Sequence, residues 1–129
     1  MSKVVLITGA TSGMGKLTAS YLASNGYVVY AGTRNKDNLE SNIENINNIY
    51  IDVTKTDSIK NAVNTIIQKE GKIDVLVNNA GYGLLATIEE GTDEEMFNQF
   101  DVNVFGLIKT TREVLPYMRE AKQGVIINI

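Results

Sequence analysis

The sequence contains no cysteine and no histidine in 129 residues. Without cysteine there are no thiol nucleophiles and no disulfides; without histidine there is no imidazole base, and the two absences together remove nearly all zinc chemistry. Tyr, Lys, Ser, Thr and carboxylates remain as candidate catalysts. No apolar run approaches the roughly 20 residues of a membrane span, and the N-terminus turns strand-like too early for a secretory signal. A formal net charge of -3 argues against nucleic-acid and anionic membrane partners. The expectation is a cytoplasmic protein forming one domain over residues 1–129, with enough apolar content, 43%, for a core.

What is present is organised around Val4-Val5-Leu6-Ile7-Thr8-Gly9-Ala10-Thr11-Ser12-Gly13-Met14-Gly15-Lys16. Four aliphatic residues in a row read as a strand buried on both faces, and the glycine turn after them runs into a helix over residues 14–25. A helix N-terminus has unpaired amides and a positive dipole end, so a phosphate can sit there where no side chain intervenes. Gly9, Gly13 and Gly15 supply that clearance. The spacing Gly-x-x-x-Gly-x-Gly is neither Gly-x-Gly-x-x-Gly nor a P-loop, because Leu17 stands where a P-loop needs Ser or Thr. The same residues also suit a tight strand-to-helix turn that binds nothing.

Further along, residues 27–31 form a second strand run after Asn25-Gly26, which closes the helix, and Gly32 ends it. Thr33, Arg34 and Lys36 follow, and the stretch to about Glu44 reads as a short exposed helix. A third strand covers 48–51 and continues into Asp52-Val53. Thr56 or Asp57 caps a helix whose Ile59, Ala62, Val63, Ile66 and Ile67 recur at helical spacing up to Glu70-Gly71. The fourth strand spans 73–77 and stops at Asn78-Asn79-Ala80-Gly81. Thr92-Asp93-Glu94-Glu95 is a capping box for one long helix to about Glu120, despite Gly106 and Pro116, and a fifth strand covers 125–129. Alternating strands and helices imply right-handed crossovers and a three-layer α/β sandwich with five parallel strands in the order 3-2-1-4-5. Ligands on such a doubly wound sheet collect at the strand C-termini where the order reverses.

Four signals fall on that edge: the glycine turn after strand 1, Arg34 after strand 2, Asp52-Val53 after strand 3 and Asn79-Ala80-Gly81 after strand 4. Together they resemble the short-chain dehydrogenase/reductase family, which carries Thr-Gly-x-x-x-Gly-x-Gly, here from Thr8 to Gly15, and Asn-Asn-Ala-Gly, here from Asn78 to Gly81. The resemblance implies a Rossmann-type fold, a nicotinamide dinucleotide cofactor, and an alcohol or carbonyl compound as substrate. It places the diphosphate on the amides from Gly9 to Met14, Gly13 among them, with the Thr11 or Ser12 hydroxyl assisting, and Gly15 completes the motif. Asp52 meets the adenine amino group, Val53 offers backbone and apolar contact, and Asn79, Ala80 and Gly81 approach the nicotinamide ribose.

NAD-selective relatives of this fold end strand 2 with an acid that repels a 2′-phosphate. Here Thr33 and Arg34 stand at that place, which favours NADP over NAD. Asn103 matches the asparagine that bends the family's long helix and, through a water, orders the catalytic lysine. The family's serine and Tyr-x-x-x-Lys pair are not found: none of the six tyrosines is followed four places on by lysine. The sequence therefore reads as the first half of a dehydrogenase, cut at the end of strand 5. On that reading the 129 residues alone are inactive and self-associate as a homo-oligomer through the exposed fifth strand or the long helix. A Rossmann-type nucleotide-binding or interaction module without catalysis is the alternative.

Overall fold

The computed structural model describes residues 1–37 and 39–129. At its centre lies β1 (Val4–Ile7), whose four side chains are all buried. A strand sends alternate side chains to opposite faces. Accordingly Val4 and Leu6 join one apolar cluster, and Val5 and Ile7 join another across the sheet. Burial on both faces is why this segment is aliphatic without alternation.

Around it β2 (Val28–Thr33), β3 (Ile46–Tyr50), β4 (Val75–Asn78) and β5 (Val125–Asn128) pair in parallel, in the expected order β3-β2-β1-β4-β5. The register sets Val5 between Val29 and Val75, with Ile46 and Val125 continuing the row at either side. Helix α1 (Gly13–Ser24) lies on one face. There Gly15, Ala19 and Ala23 are small enough for close approach to the sheet. Helix α2 (Thr56–Glu70) packs on the other face through Ile59, Val63 and Ile66, each contributing about 1.5–3 kcal/mol by burial. It ends at Gly71, whose φ of 77° and N–H to the Ile67 carbonyl, at 2.8 Å, form the left-handed stop that Glu70-Gly71 suggested. Among the described residues no helix is long and apolar enough to cross a membrane.

Several local expectations are corrected. Strand 2 does not stop at Gly32 but runs through it to Thr33; a Cβ on Gly32 would strike Ile51 Cγ2 and come within 3.0 Å of the Ile7 carbonyl oxygen, so this glycine serves close packing inside the strand. No helix forms among the described residues of 35–44; Asn38 lies outside them. Short polar side chains compete for the backbone there: Asn35 Oδ1 accepts the Asp37 N–H at 2.9 Å and Ser41 Oγ the Ile43 N–H at 3.3 Å. The N-cap of α2 is Lys55, with no side-chain cap, rather than Thr56 or Asp57. Ser58 Oγ closes the approach instead, accepting the Asp52 N–H at 2.9 Å.

The long helix after the Thr92–Glu95 capping box is three segments: α3 (Asp93–Phe100), a π-helical stretch Asp101–Gly106, and α4 (Leu107–Ala121). A Cβ on Gly106 would lie 2.5 Å from Val53 Cγ2, so the widened turn sits directly against the loop after β3. A π-turn within a long helix often marks a functional position.

One carboxylate gives the fold a pH dependence. Asp74 Oδ2 accepts the Val4 N–H at 2.7 Å and lies 2.9 Å from Lys72 Nζ. Burial pushes its pKa up, but these hydrogen bonds and the charges of Lys72 and Lys3 prevail and hold it below the ordinary 3.8. A carboxylate whose folded pKa is depressed stabilises above the unfolded value, and that contribution disappears as pH falls through the folded value. Asp74→Asn is expected to lose about 1–2 kcal/mol at pH 7 and progressively less below pH 3.8. Urea midpoints at the two ends of that range check this; an undiminished gap in acid would assign the effect to packing.

Candidate functional site

The C-terminal ends of the central strands enclose a cleft of about 460 Å³. The turn from β1 into α1 contributes Gly9, Thr11, Ser12, Gly13 and Met14. The segment leaving β2 contributes Thr33, Arg34 and Asn35, and the one leaving β3 contributes Ile51, Asp52 and Val53. Residues Asn79, Ala80, Gly81 and Tyr82 after β4 and Val102 from the π-helical stretch close the wall. Of the residues singled out in the sequence, all line this cleft except Gly15 and Asn103.

The two exceptions lie behind the wall and shape it. Gly15 is buried where a Cβ would come within 2.5 Å of both Asn79 Nδ2 and the Gly9 carbonyl oxygen. Asn103 grips the loop from the π-helical stretch, its Oδ1 accepting the Tyr82 N–H at 3.0 Å and its Nδ2 donating to the Tyr82 carbonyl at 2.7 Å.

The turn is open where an anion would need it open. Gly9 and Gly13 have φ of 62° and 57°, values an L side chain rarely adopts, and nothing lies within 4 Å of where a Gly13 Cβ would be. Ser12 is the N-cap, but its hydroxyl makes no capping bond, and the first turn of α1 holds no acidic residue. Among the described residues, no backbone hydrogen bond uses the amides of Gly13, Met14 or Gly15; the first to find a partner is Lys16, on the Ser12 carbonyl at 3.2 Å. Three donors at the positive end of a helix therefore lack a protein partner, and two of them, on Gly13 and Met14, belong to residues that line the cleft.

Opposite them stands Asp52. Its Oδ1 accepts the Thr54 N–H at 2.9 Å and the Thr54 hydroxyl at 2.7 Å. Burial raises its pKa, and the Thr54 bonds with the charges of Lys55 and Arg34 more than reverse that, so the carboxyl lies below its usual range and is ionised at neutral pH. Arg34 is exposed and belongs to neither ion pair found among the described residues. Lys36, the second cation of this segment, instead lies 4.5 Å above the Tyr50 ring.

Several contributors escaped the sequence reading. Thr8 is buried, and its Oγ1 accepts the N–H groups of both Asn79 and Ala80 at 3.0 Å, which welds the β1 end to the β4 end. Asn79 returns the contact through Nδ2 to the carbonyls of Thr8 and Gly9, each at 3.1 Å. An asparagine of the Asn-Asn-Ala-Gly run is expected to tie strand 4 to its neighbour; Asn78 does so to Asn128 of β5 and, beyond that expectation, also donates to Thr111 of α4, both at 3.0 Å. Asn35, Ile51 and Val102 line the cleft without a motif, and only adjacency to Arg34, Asp52 and Asn103 could have suggested them; Tyr82, which the sequence offers with Leu84 and Leu85 as an apolar wall, lines it too.

The family model described as short chain dehydrogenase matches residues 3–129. The chain belongs to that family. It is 45% identical over 127 residues to a 3-ketodihydrosphingosine reductase of Bacteroides thetaiotaomicron, covering 98% of this chain and 46% of the relative. It is 39% identical over 134 residues to the 3-oxoacyl-(acyl-carrier-protein) reductase FabG of Thermotoga maritima, covering 98% of this chain and 54% of that protein. The solved structure of ElxO with NADP bound superposes with a TM-score of 0.91 at 32% identity, covering 99% of this chain and 55% of ElxO. The chain thus spans about half the length of these members of the short-chain dehydrogenase family.

Proposed function

We propose that this chain forms the NADP(H)-binding part of an oxidoreductase that moves hydride between nicotinamide and an alcohol or carbonyl carbon. The observation that carries the reading is the convergence on one cleft of the unsatisfied amides at Gly13 and Met14, the cation Arg34 and the ionised Asp52. When bound, NADPH supplies the hydride. Gly9, Gly13, Met14, Thr11 and Ser12 hold the diphosphate, Asp52 and Val53 the adenine, Thr33 and Arg34 the 2′-phosphate, and Asn79, Ala80 and Gly81 the nicotinamide ribose.

Carbonyl reduction is the proposed direction, because the Bacteroides and Thermotoga relatives are both named as reductases of a keto group on a longer molecule. An apolar carbonyl substrate suits the wall beside the nicotinamide end, where Tyr82, Leu84 and Leu85 are exposed. Asn103 fixes this end by holding Tyr82. None of the 129 residues supplies a Tyr-x-x-x-Lys pair, so proton transfer to the substrate oxygen is not assigned here to any of them.

Nicotinamide fluorescence titrations test the cofactor assignment. NADPH should bind at least about tenfold more tightly than NADH, and Arg34→Ala should remove most of that difference while leaving NADH binding within about twofold, as expected for losing one charge-assisted contact to phosphate. Equal affinities in the parent protein, or an unchanged preference in the variant, rejects NADP selectivity through Arg34.

A further inference from the structure

We infer that Gln99 is a positioning residue for the nicotinamide end of the cleft, acting through the Leu84 N–H as the outer half of a two-point latch whose inner half is Asn103. Gln99 Oε1 accepts the Leu84 N–H at 3.1 Å, and Asn103 takes the N–H and carbonyl of Tyr82 at 3.0 and 2.7 Å. Both amide side chains are half-buried on the inner side of α3 and the π-helical stretch, while residues 81–90 are exposed. Among the described residues, these three hydrogen bonds are the only ones that reach the backbone of residues 81–86. The loop is thus placed by two side chains, and not by a ladder or a turn of its own.

The two elements share a common ruler. Residues four apart on a helix lie about 6 Å apart along its axis, and residues two apart on an extended chain lie about 6.6 Å apart on one side of it. Gln99 and Asn103 therefore meet Tyr82 and Leu84 in step, imitating the edge that a neighbouring strand would present. Gly83, between the two gripped residues, has open space where a Cβ would be. Only the acceptor oxygen of Gln99 is used. A glutamate therefore preserves the contact, whereas a methionine of similar length abolishes it.

The functional consequence rests on the dinucleotide reading of the cleft, but the latch itself is testable without ligand. Amide hydrogen exchange resolved by residue should show Leu84 exchanging about five- to tenfold faster in Gln99→Met than in the parent protein, with Gln99→Glu close to the parent. Tyr82 serves as the internal control and should keep its protection, since Asn103 still holds it. With NADPH bound, the nicotinamide fluorescence of Gln99→Met should depart from the parent's while NADPH affinity stays within about twofold, and Gln99→Glu should restore the parent signal. Unchanged Leu84 exchange in the methionine variant, loss of Tyr82 protection alongside it, or failure of glutamate to rescue overturns the proposal. Failure of the parent protein to bind NADPH would instead reject the cofactor reading and leave the exchange result standing.

Discussion

Replacing Gly15 with alanine is expected to destabilise the protein by about 3 kcal/mol and to weaken NADPH binding at least about tenfold. The sign is informative, because inside a helix alanine is favoured over glycine by about 1 kcal/mol. Here the new methyl would sit 2.5 Å from the Gly9 carbonyl oxygen, 2.5 Å from Asn79 Nδ2 and 2.9 Å from Ala10 Cα. Two of those three are backbone and have no rotamer to escape into. The third is fixed by its bonds to the carbonyls of Thr8 and Gly9. Relief must come from moving α1 away from the turn, which carries the amides of Gly13 and Met14 out of line. A urea midpoint that falls with an unchanged slope would show lost stability without a change in the surface exposed on unfolding. An alanine variant as stable as the parent would mean that α1 and the turn separate freely and that Gly15 is not a spacer.

Much of this architecture was legible in the chain because its signals are local. The aliphatic run of β1, the helical spacing of Ile59, Val63 and Ile66, the Gly71 stop and the Thr92–Glu95 box each depend on residues within a few positions of one another. The parallel order followed from the alternation of elements, and the glycine turn gained meaning from three other strand ends. What was not legible depends on partners far away in sequence. Gly32 reads as a strand terminator until Ile51 is seen packed against it. The bend expected at Asn103 falls in the π-helical stretch Asp101–Gly106, but the packing of Gly106 against Val53, across 53 positions, is a contact that no periodicity reveals. The weak helical pattern before Glu44 is overridden, among the described residues, where Asn35 and Ser41 accept the N–H groups of Asp37 and Ile43, two residues on.

Gly15 illustrates the same limit from inside a motif. It belongs to the glycine spacing that reads as a cradle, yet it lies beneath the cleft and determines how closely helix meets turn. The motif therefore combines two kinds of glycine: Gly9 and Gly13 for backbone shape, Gly15 for distance. Gln99 and Asn103 act on Leu84 and Tyr82 across 15 and 21 positions, which is why an unremarkable helix position carries no local signal.

Thr8→Val should produce the other large loss, about 2–4 kcal/mol, although valine matches threonine in shape and favours a strand at least as well. The hydroxyl is the difference. Thr8 is 2% exposed, and its oxygen is the acceptor for two successive N–H groups, those of Asn79 and Ala80. Removing it leaves both donors facing a methyl group. Relocating them to water requires the segment from Asn79 to Gly81 to swing off the β1 end, the same segment proposed to meet the nicotinamide ribose. Stability and NADPH affinity should therefore fall together, the affinity by about tenfold or more. Thr8→Ser keeps the acceptor and loses only a buried methyl, so it should lose about 1 kcal/mol and bind nearly as the parent does. Asn79→Ala in the Thr8→Val background should add less than it does alone, because both substitutions release the same seam between β1 and β4. Strict additivity of the two, or a serine variant as impaired as the valine one, would show that the seam is held by packing and not by the hydroxyl.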